Sequence, residues 1–168
     1  MISDKLQDAI NNQINAELFS EFYYLSMAAY LSSEGLDGFE NFFIVQAQEE
    51  HTHAMKLYHF LNERGGRVML QKIDAPKTDF DSPVEVFKLA LEHEQHVTSL
   101  INQLMDTAIE EKDHAARSFL NWFVDEQVEE EATMDTLLSK LKLINGEGQG
   151  LLMMDKELAA RTFTDETA

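Results

Sequence analysis

The sequence predicts an all-α protein: a four-helix bundle with one long crossover between helices 2 and 3 and a short fifth helix at the C-terminus. Only two prolines and seven glycines interrupt the 168 residues, so that apolar residues recur at helical spacing over four long segments. A connection of mixed polarity, residues 66–82, separates the second segment from the third. At about 3.3 Å per residue it can travel the whole length of a bundle.

Local signals mark the ends of the first two helices. Ser3 or Asp4 can cap a first helix that runs to about Ser33, because a short polar side chain satisfies a free backbone N–H there. Asp37, followed three residues later by Glu40, is typical of a capping pair and predicts the start of the second helix. Two consecutive glycines near position 65 predict its end. The link between the two helices is short, so they should form an antiparallel hairpin.

The second pair of helices begins with a stronger signal. Ser82 precedes Pro83 and lies three residues before Glu85, which combines a capping serine, a proline in the first turn and a capping glutamate. This third helix runs to about Glu111, and Asp113 can cap a fourth that continues to about residue 143. A tail helix is predicted at about 150–162. The whole chain, 1–168, is predicted to be a single domain with its bundle at about 4–143.

The charge balance excludes one class of partner and indicates another. The chain holds 31 acidic and 13 basic residues, a formal net charge of −18, and such a field repels phosphates and attracts cations. We therefore expect no nucleic-acid partner. No basic segment followed by an apolar one opens the chain, and no apolar run approaches the roughly 18 residues of a membrane span, so we predict a cytoplasmic protein without membrane contact. The absence of cysteine excludes thiolate metal sites.

Each of the four long helices carries a glutamate inside its apolar stripe. When the stripes are read at about 100° per residue, one glutamate interrupts each of them near its midpoint, and His53 also interrupts the second. Positions near the middle of a bundle stay at similar height whichever way each helix runs. The glutamates that can therefore meet in the core are Glu17, Glu50, Glu94 and Glu130. The alternative is a register error of one or two residues, which would place these acids on solvated faces.

Four carboxylates in a dry core predict a metal site, because they would repel one another and take up protons unless cations neutralised them. Four hard oxygen donors and one imidazole do not suit structural zinc, and a lone histidine argues against copper, whereas iron or manganese fits them. The charges favour two divalent ions, with Glu50 placed to bridge them. The spacing Glu50-x-x-His53 puts both side chains on one helix face, as in di-iron carboxylate bundles.

Several motifs carry a resemblance to a known family. Glu17, "EEHTH", Glu94, "WFVDEQVEEE" and the tail "GEGQGLLMMDKEL" resemble the non-haem ferritins of bacteria and archaea, over essentially the entire chain. The expected fold is therefore the ferritin-like four-helix bundle. Gln127-x-x-Glu130 stands where symmetric di-iron bundles repeat Glu-x-x-His, unlike bacterioferritins and rubrerythrins. Thr52 stands at the place of the haem-ligating methionine of bacterioferritins, so no haem is expected.

The resemblance implies a role for each residue of the cluster. The ligand sets that it implies for the two irons are Glu17, Glu50 and His53 for one, and Glu50, Glu94 and Glu130 for the other. Gln127 is expected beside the pair. An extra iron site of prokaryotic ferritins is matched by Glu49, Glu126 and Glu129, with Glu130 shared. Tyr24 matches a tyrosine that hydrogen-bonds a ligand or donates an electron, although its alternative role is simple packing.

The function that the resemblance implies is oxidation of Fe(II) by dioxygen or hydrogen peroxide, followed by storage of Fe(III) mineral in a hollow shell of twenty-four identical subunits. Candidate subunit contacts are the aromatic residues off the core stripe of the first helix: Phe19, Phe22, Tyr23 and Tyr30. Two alternatives stay open. A peroxide-scavenging di-iron oxidoreductase would use the same ligands without a shell. A DNA-protecting miniferritin would place its ligands between subunits and carry a basic tail.

Overall fold

The computed structural model describes residues 2–165 and 167 and folds them into five α-helices without a β-strand. The helices are α1 (Asp4–Ser33), α2 (Asp37–Glu63), α3 (Pro83–Glu110), α4 (His114–Leu143) and α5 (Gly148–Leu158). The prediction of an all-α bundle with a short fifth helix is confirmed. Within the described residues, none of the helices has the length and apolar character needed to cross a membrane.

Three helices begin at the capping residues that the sequence predicted. The Ser3 hydroxyl accepts a hydrogen bond from the backbone N–H of Leu6 at 3.2 Å, and Ser82 accepts one from Glu85 at 3.1 Å. The Asp113 carboxylate accepts a bond of 2.9 Å from the N–H of Ala116. Each side chain satisfies one of the backbone donors that the first turn of a helix leaves free.

The start of α2 differs from the prediction, and the capping pair proposed for Asp37 and Glu40 is wrong. No side chain of this segment caps the helix. Instead Asp155, on α5, accepts hydrogen bonds from the backbone N–H groups of Gly38 and Phe39 at 2.8 and 3.0 Å. A Cβ atom on Gly38 would lie 1.6 Å from the carbonyl oxygen of Asp155, so only glycine permits this close approach. The fifth helix therefore caps the second.

The tail helix also ends earlier than predicted, at Leu158 rather than near position 162. We refer to residues 159–165 as the C-terminal segment. Its first part lies along α2, because the side-chain amide of Asn41 donates hydrogen bonds to the carbonyl oxygens of Leu158 and Arg161, at 3.1 and 2.9 Å. These backbone contacts bring the C-terminal segment towards the middle of the bundle.

The helices pack as two hairpins, α1 with α2 and α3 with α4, and α1 also packs against α3. The connection 66–82 contains no helix or strand and joins the hairpins as the predicted crossover. Side chains of α1 hold this connection in place. Asn11 donates to the carbonyl of Arg67 at 3.0 Å and accepts from the N–H of Met69 at 2.8 Å, and Ser26 donates to the carbonyl of Lys77 at 2.6 Å.

The apolar core divides into two clusters, one towards each end of the bundle. One cluster includes α1 residues from Tyr24 to Leu31 and α4 residues from Met134 to Leu141. The other includes α1 residues from Leu6 to Ile14 and α4 residues from Ala116 to Phe123. Between the clusters lies a layer of buried polar side chains, which we call the polar layer: Gln13, Glu17, Ser20, Gln46, Glu50, His53, Glu94, Gln127 and Glu130.

Replacing Asp155 tests whether α5 stabilises the start of α2. Asp155→Ala should lower the free energy of unfolding by about 1 kcal/mol, because two backbone donors lose their acceptor. Asp155→Asn keeps an acceptor oxygen and should recover most of that loss. Calorimetry at one scan rate measures both effects as changes in Tm. Asp37→Ala is the matched control, since Asp37 is exposed in the same turn and caps nothing; an equal loss of stability in both alanine variants would contradict the assignment.

Candidate metal centre

The polar layer contains all four glutamates that the sequence placed in the core, together with the predicted histidine. The exposed fractions are 1% for Glu17, 2% for Glu50, 0% for Glu94, 6% for Glu130 and 3% for His53. Glutamate is almost never buried to this degree unless it is paired. The alternative of a register error on solvated faces is therefore excluded for these residues.

Helical periodicity directs these side chains inwards. On α3, Glu94 lies four residues after Ala90 and three before Val97, both of which are buried. On α4, Glu130 lies four residues before the buried Met134. Residues three and four apart share one face of a helix, so that the apolar neighbours determine where each carboxylate points. Burial of the apolar stripe thus holds the acids in the core.

Among the residues that the structure describes, two groups of side chains lie close enough to hold a metal ion. The first is Glu17, Glu50 and His53, whose ligand atoms lie within 4.8 Å of one another. His53 Nδ1 is 3.6 Å from a carboxylate oxygen of Glu50. The Trp122 ring packs against the imidazole in an edge arrangement, with the ring centroids 5.3 Å apart. This group matches the ligand set expected for one of the two irons.

The second group combines His53 with Glu126 and Glu130 of α4, again within 4.8 Å. The ligand set expected for the other iron was different, namely Glu50, Glu94 and Glu130. In the part of the chain that the structure describes, Glu94 belongs to neither group. Its carboxylate instead accepts hydrogen bonds from the Tyr24 hydroxyl and, at 3.1 Å, from the amide of Gln127.

Three glutamine amides supply hydrogen bonds to the carboxylates of the polar layer. Gln127 donates to Glu94, Gln13 donates to Glu17 at 2.8 Å, and Gln46 donates to Glu130 at 2.6 Å. A neutral donor that faces an acid can stabilise its charged form without adding a competing cation. The roles of Gln13 and Gln46 as hydrogen-bond donors were not predicted from the sequence. Their signal was available, since each lies four residues before a core glutamate, on the same helix face.

Burial raises the pKa of each of the four buried glutamates of the polar layer. For Glu50 and Glu130 the pKa is well above its ordinary value, first because of burial and then because of the neighbouring carboxylates. Burial likewise raises the pKa of Glu17, and it raises the pKa of Glu94 to about 7. A divalent ion favours the ionised forms, so metal binding at this site should release protons.

The imidazole shifts in the opposite direction. Burial, followed by the nearby charge of Lys56, lowers the pKa of His53 to about 4. The ring is therefore neutral at physiological pH, which is the form in which histidine binds metals. With His53 neutral and the carboxyl groups ready to lose protons, the donor set is hard, rich in oxygen and suited to Fe(II).

Of the residues expected at the third iron site, Glu126 and Glu130 lie together, whereas Glu49 and Glu129 belong to neither group of the described residues. Glu126 belongs to the second group, and Glu129 is exposed. Glu49 is half-buried, and its carboxylate bonds the guanidinium of Arg161 at 2.6 Å. A third ion at Glu49, Glu126 and Glu129 stays a prediction.

A four-helix bundle with one long crossover and a buried layer of carboxylates defines the class of helical-bundle proteins with a carboxylate metal centre. Residues 7–144 match the family described as the ferritin-like domain. The bacterial non-heme ferritin of Staphylococcus aureus (strain USA300) is 45% identical over 166 residues, which cover 99% of this chain and 100% of that protein. The chain belongs to the prokaryotic non-haem ferritins, as its sequence predicted.

Solved structures agree with this family and with the fold. The open pore ferritin from the hyperthermophilic archaeon Archaeoglobus fulgidus matches with a TM-score of 0.95 and 49% identity, over 96% of this chain and 100% of that one. A closed form of the same ferritin, engineered by site-directed mutagenesis, matches with a TM-score of 0.96 over 98% of this chain. The expectation of a ferritin-like four-helix bundle is confirmed. Membership of this family supports iron storage and ferroxidase chemistry in general terms.

The pKa of Glu94 predicts how the stability of the metal-free protein depends on pH. Its value of about 7, against an ordinary 4.5, means that the folded chain keeps a proton that the unfolded chain loses between these pH values. The stabilisation is therefore complete below about pH 4.5 and is lost as the pH rises through about 7. Glu94→Gln, which stays neutral, should raise the Tm by several degrees at pH 8 and by much less at pH 5.

The control for this experiment is Glu92→Gln, which changes an exposed glutamate of the same helix. Calorimetry of parent and variants in the presence of a chelator measures the difference between the two pH values. A Glu94→Gln effect that is equal at pH 5 and pH 8, or that is matched by the control, would show that the buried carboxyl group does not titrate in this range.

Proposed function

We propose that the protein oxidises Fe(II) with dioxygen or hydrogen peroxide at a paired-iron site and stores the Fe(III) as mineral inside a shell of twenty-four identical subunits. The observation that carries this proposal is the polar layer. It brings one buried glutamate from each of the four long helices together with His53, between two apolar clusters. Iron is the substrate of this site rather than a permanent cofactor.

The donor set suggests how the site could work. Carboxylates supply up to four negative charges, which suits two divalent ions in a dry cavity where unpaired charges are costly. Glu17, Glu50 and His53 would hold one ion, and Glu50, Glu94 and Glu130 the other. To complete the second set, Glu94 and Glu130 would exchange their present hydrogen-bond donors for the ion. The protein's contribution is to hold both ions at a fixed separation, so that they can give electrons to one oxidant molecule.

Tyr24 and Gln127 would position Glu94. Both side chains donate to its carboxylate, and both are buried, with exposed fractions of 0% and 5%. The Tyr24 hydroxyl has a raised pKa, first because of burial and then because of the adjacent Glu94 and Glu50. It therefore stays protonated and can keep donating its hydrogen bond. Electron donation by Tyr24 stays a prediction.

Exposed apolar residues support assembly into an oligomer. Phe22 on α1 is 50% exposed, Val128 on α4 is 68% exposed, and Leu152 and Met153 on α5 are 63% and 74% exposed. Large apolar side chains of this kind often mark contacts between subunits. Of the other proposed contact residues, Tyr23 packs on His93 and Tyr30 packs on Phe80 within the chain. Location in the cytoplasm stays a prediction from the sequence.

Iron loading followed by sizing tests the storage function. The purified metal-free protein should run as a particle near twenty-four times the chain mass of 19.2 kDa. It should take up Fe(II) in air far beyond three ions per chain without precipitating. A monomer or dimer that retains only stoichiometric iron would favour the peroxide-scavenging oxidoreductase. Salt-dependent DNA binding would favour the miniferritin.

Removal of single ligands tests the paired site. Glu130→Ala and His53→Ala should slow the rapid oxidation of Fe(II) by about 100-fold or more, because each removes a donor from an ion. Stopped-flow absorbance after mixing with aerated buffer measures the rate. Both metal-free variants should stay folded and assembled, and Glu130→Ala should be no less stable than the parent, because it relieves repulsion between buried acids.

Matched controls for these variants are Glu92→Ala and His96→Ala, which change exposed residues of α3. Both controls should oxidise Fe(II) at the parent rate. If Glu130→Ala or His53→Ala were as fast as the controls, the paired site would be assigned to the wrong residues.

A further inference from the structure

The C-terminal segment brings a fixed positive charge to the edge of the metal centre. Arg161 Nη2 bonds the Glu49 carboxylate at 2.6 Å, and Nη1 bonds the side-chain oxygen of Gln46 at 2.7 Å. Nη1 also donates to the carbonyl of Phe42 at 3.3 Å, and the guanidinium lies 4.4 Å from the centroid of the Phe42 ring. Arg161 is thus held against α2 by several contacts.

Gln46 connects Arg161 to Glu130, one of the proposed iron ligands. Gln46 accepts from Arg161 through its oxygen and donates to Glu130 through its nitrogen, at 2.6 Å. A guanidinium can only donate hydrogen bonds, so it requires the Gln46 oxygen to face it. The amide nitrogen must then face Glu130. Arg161 therefore sets the orientation of the amide that positions Glu130.

The guanidinium also lies where a cation would be attracted. Glu49 is adjacent in sequence to Glu50, and its negative charge contributes to the raised pKa of Glu130. The side chains of Arg161 and Glu49 are 25% and 17% exposed, so their attraction is only partly screened by water. A divalent ion at the same carboxylate oxygen of Glu49 would compete with Arg161 for that oxygen and would be repelled by the positive charge of the guanidinium.

We propose that Arg161 is an internal counter-cation that occupies the place of a third metal ion at Glu49 and must leave before iron can bind there. This proposal rests on the proposed function, because it concerns the supply of iron to the paired site. When little Fe(II) is present, Arg161 neutralises Glu49 and keeps Gln46 directed at Glu130. When Fe(II) is abundant, the ion displaces the guanidinium, and the weak site fills only after the pair.

The anchoring of the tail allows the arginine side chain to move alone. The side-chain amide of Asn41 donates hydrogen bonds to the backbone oxygens of Leu158 and Arg161, and Asp155 caps α2. None of these contacts involves the Arg161 side chain. The guanidinium can therefore swing away from Glu49 while α5 stays in place, so Arg161→Ala should fold and assemble like the parent.

Titration with Co²⁺ tests the proposal, because this ion binds carboxylate and histidine sites without being oxidised in air. We expect two tight ions and one weak ion per chain in the metal-free parent, measured by calorimetry on the assembled protein. Arg161→Ala should tighten the weak ion about tenfold, the factor that corresponds to one charge-assisted hydrogen bond. The tight pair should bind no more tightly than in the parent, because Gln46 loses the contact that directs its amide at Glu130. Arg117→Ala, at an exposed arginine of α4, is the control for loss of charge and should match the parent.

A double-mutant cycle locates the effect at Glu49. In Glu49→Gln the weak ion should be lost, and adding Arg161→Ala should then change nothing. Crystals of the parent soaked in Co²⁺ should show anomalous density at Glu49 with Arg161 displaced from it. An ion at Glu49 with the Arg161 contact intact would overturn the proposal, and so would equal weak-site affinities in Arg161→Ala and Arg117→Ala. Absence of the two tight ions in the parent would overturn the proposed function as well.

Discussion

The structure depends on one constraint, the burial of four carboxyl groups and an imidazole in a single layer across the bundle. Carboxylates in a low-dielectric core are costly unless they are protonated, hydrogen-bonded or neutralised by cations. Neutral side chains donate hydrogen bonds to these carboxyl groups. Gln13 donates to Glu17, Tyr24 and Gln127 donate to Glu94, and Gln46 donates to Glu130. The two apolar clusters on either side supply the stability that offsets the cost of this layer.

The length and register of the helices follow from the same constraint. Helices of 27 to 30 residues provide apolar turns both above and below a central polar turn. A shift of one residue would rotate a glutamate by about 100° and expose it. The connection 66–82 is fixed to α1 by Asn11 and Ser26, so that the second hairpin lies at a defined height beside the first. The site therefore needs the whole bundle, although its ligands come from four short stretches.

Much of this arrangement could be predicted from the sequence, because its signals are local. Ser3, Ser82 and Asp113 cap helices within three residues of their own positions. The inward direction of Glu94 follows from its apolar neighbours on the same helix. The role of Asp155 could not be predicted, since its partner Gly38 is separated from it by 117 positions. The spacing of residues along a helix does not indicate contacts between such distant parts of the sequence. The pairing of Glu49 with Arg161, 112 positions away, was missed for the same reason.

One short stretch of chain, residues 155–161, makes both of these distant contacts. Asp155 bonds Gly38 at the start of α2, and Arg161 bonds Glu49, which lies about 16 Å further along that helix. At the rise of an α-helix, the six residues from Asp155 to Arg161 advance about 9 Å. Residues 159–161 continue beyond Leu158 as a turn, because the backbone N–H groups of Ala160 and Arg161 donate to the carbonyl oxygens of Glu157 and Leu158 at 3.3 and 3.1 Å. The long side chain of arginine covers the remaining distance to Glu49. The cap on α2 therefore also sets the position of Arg161 at the metal centre.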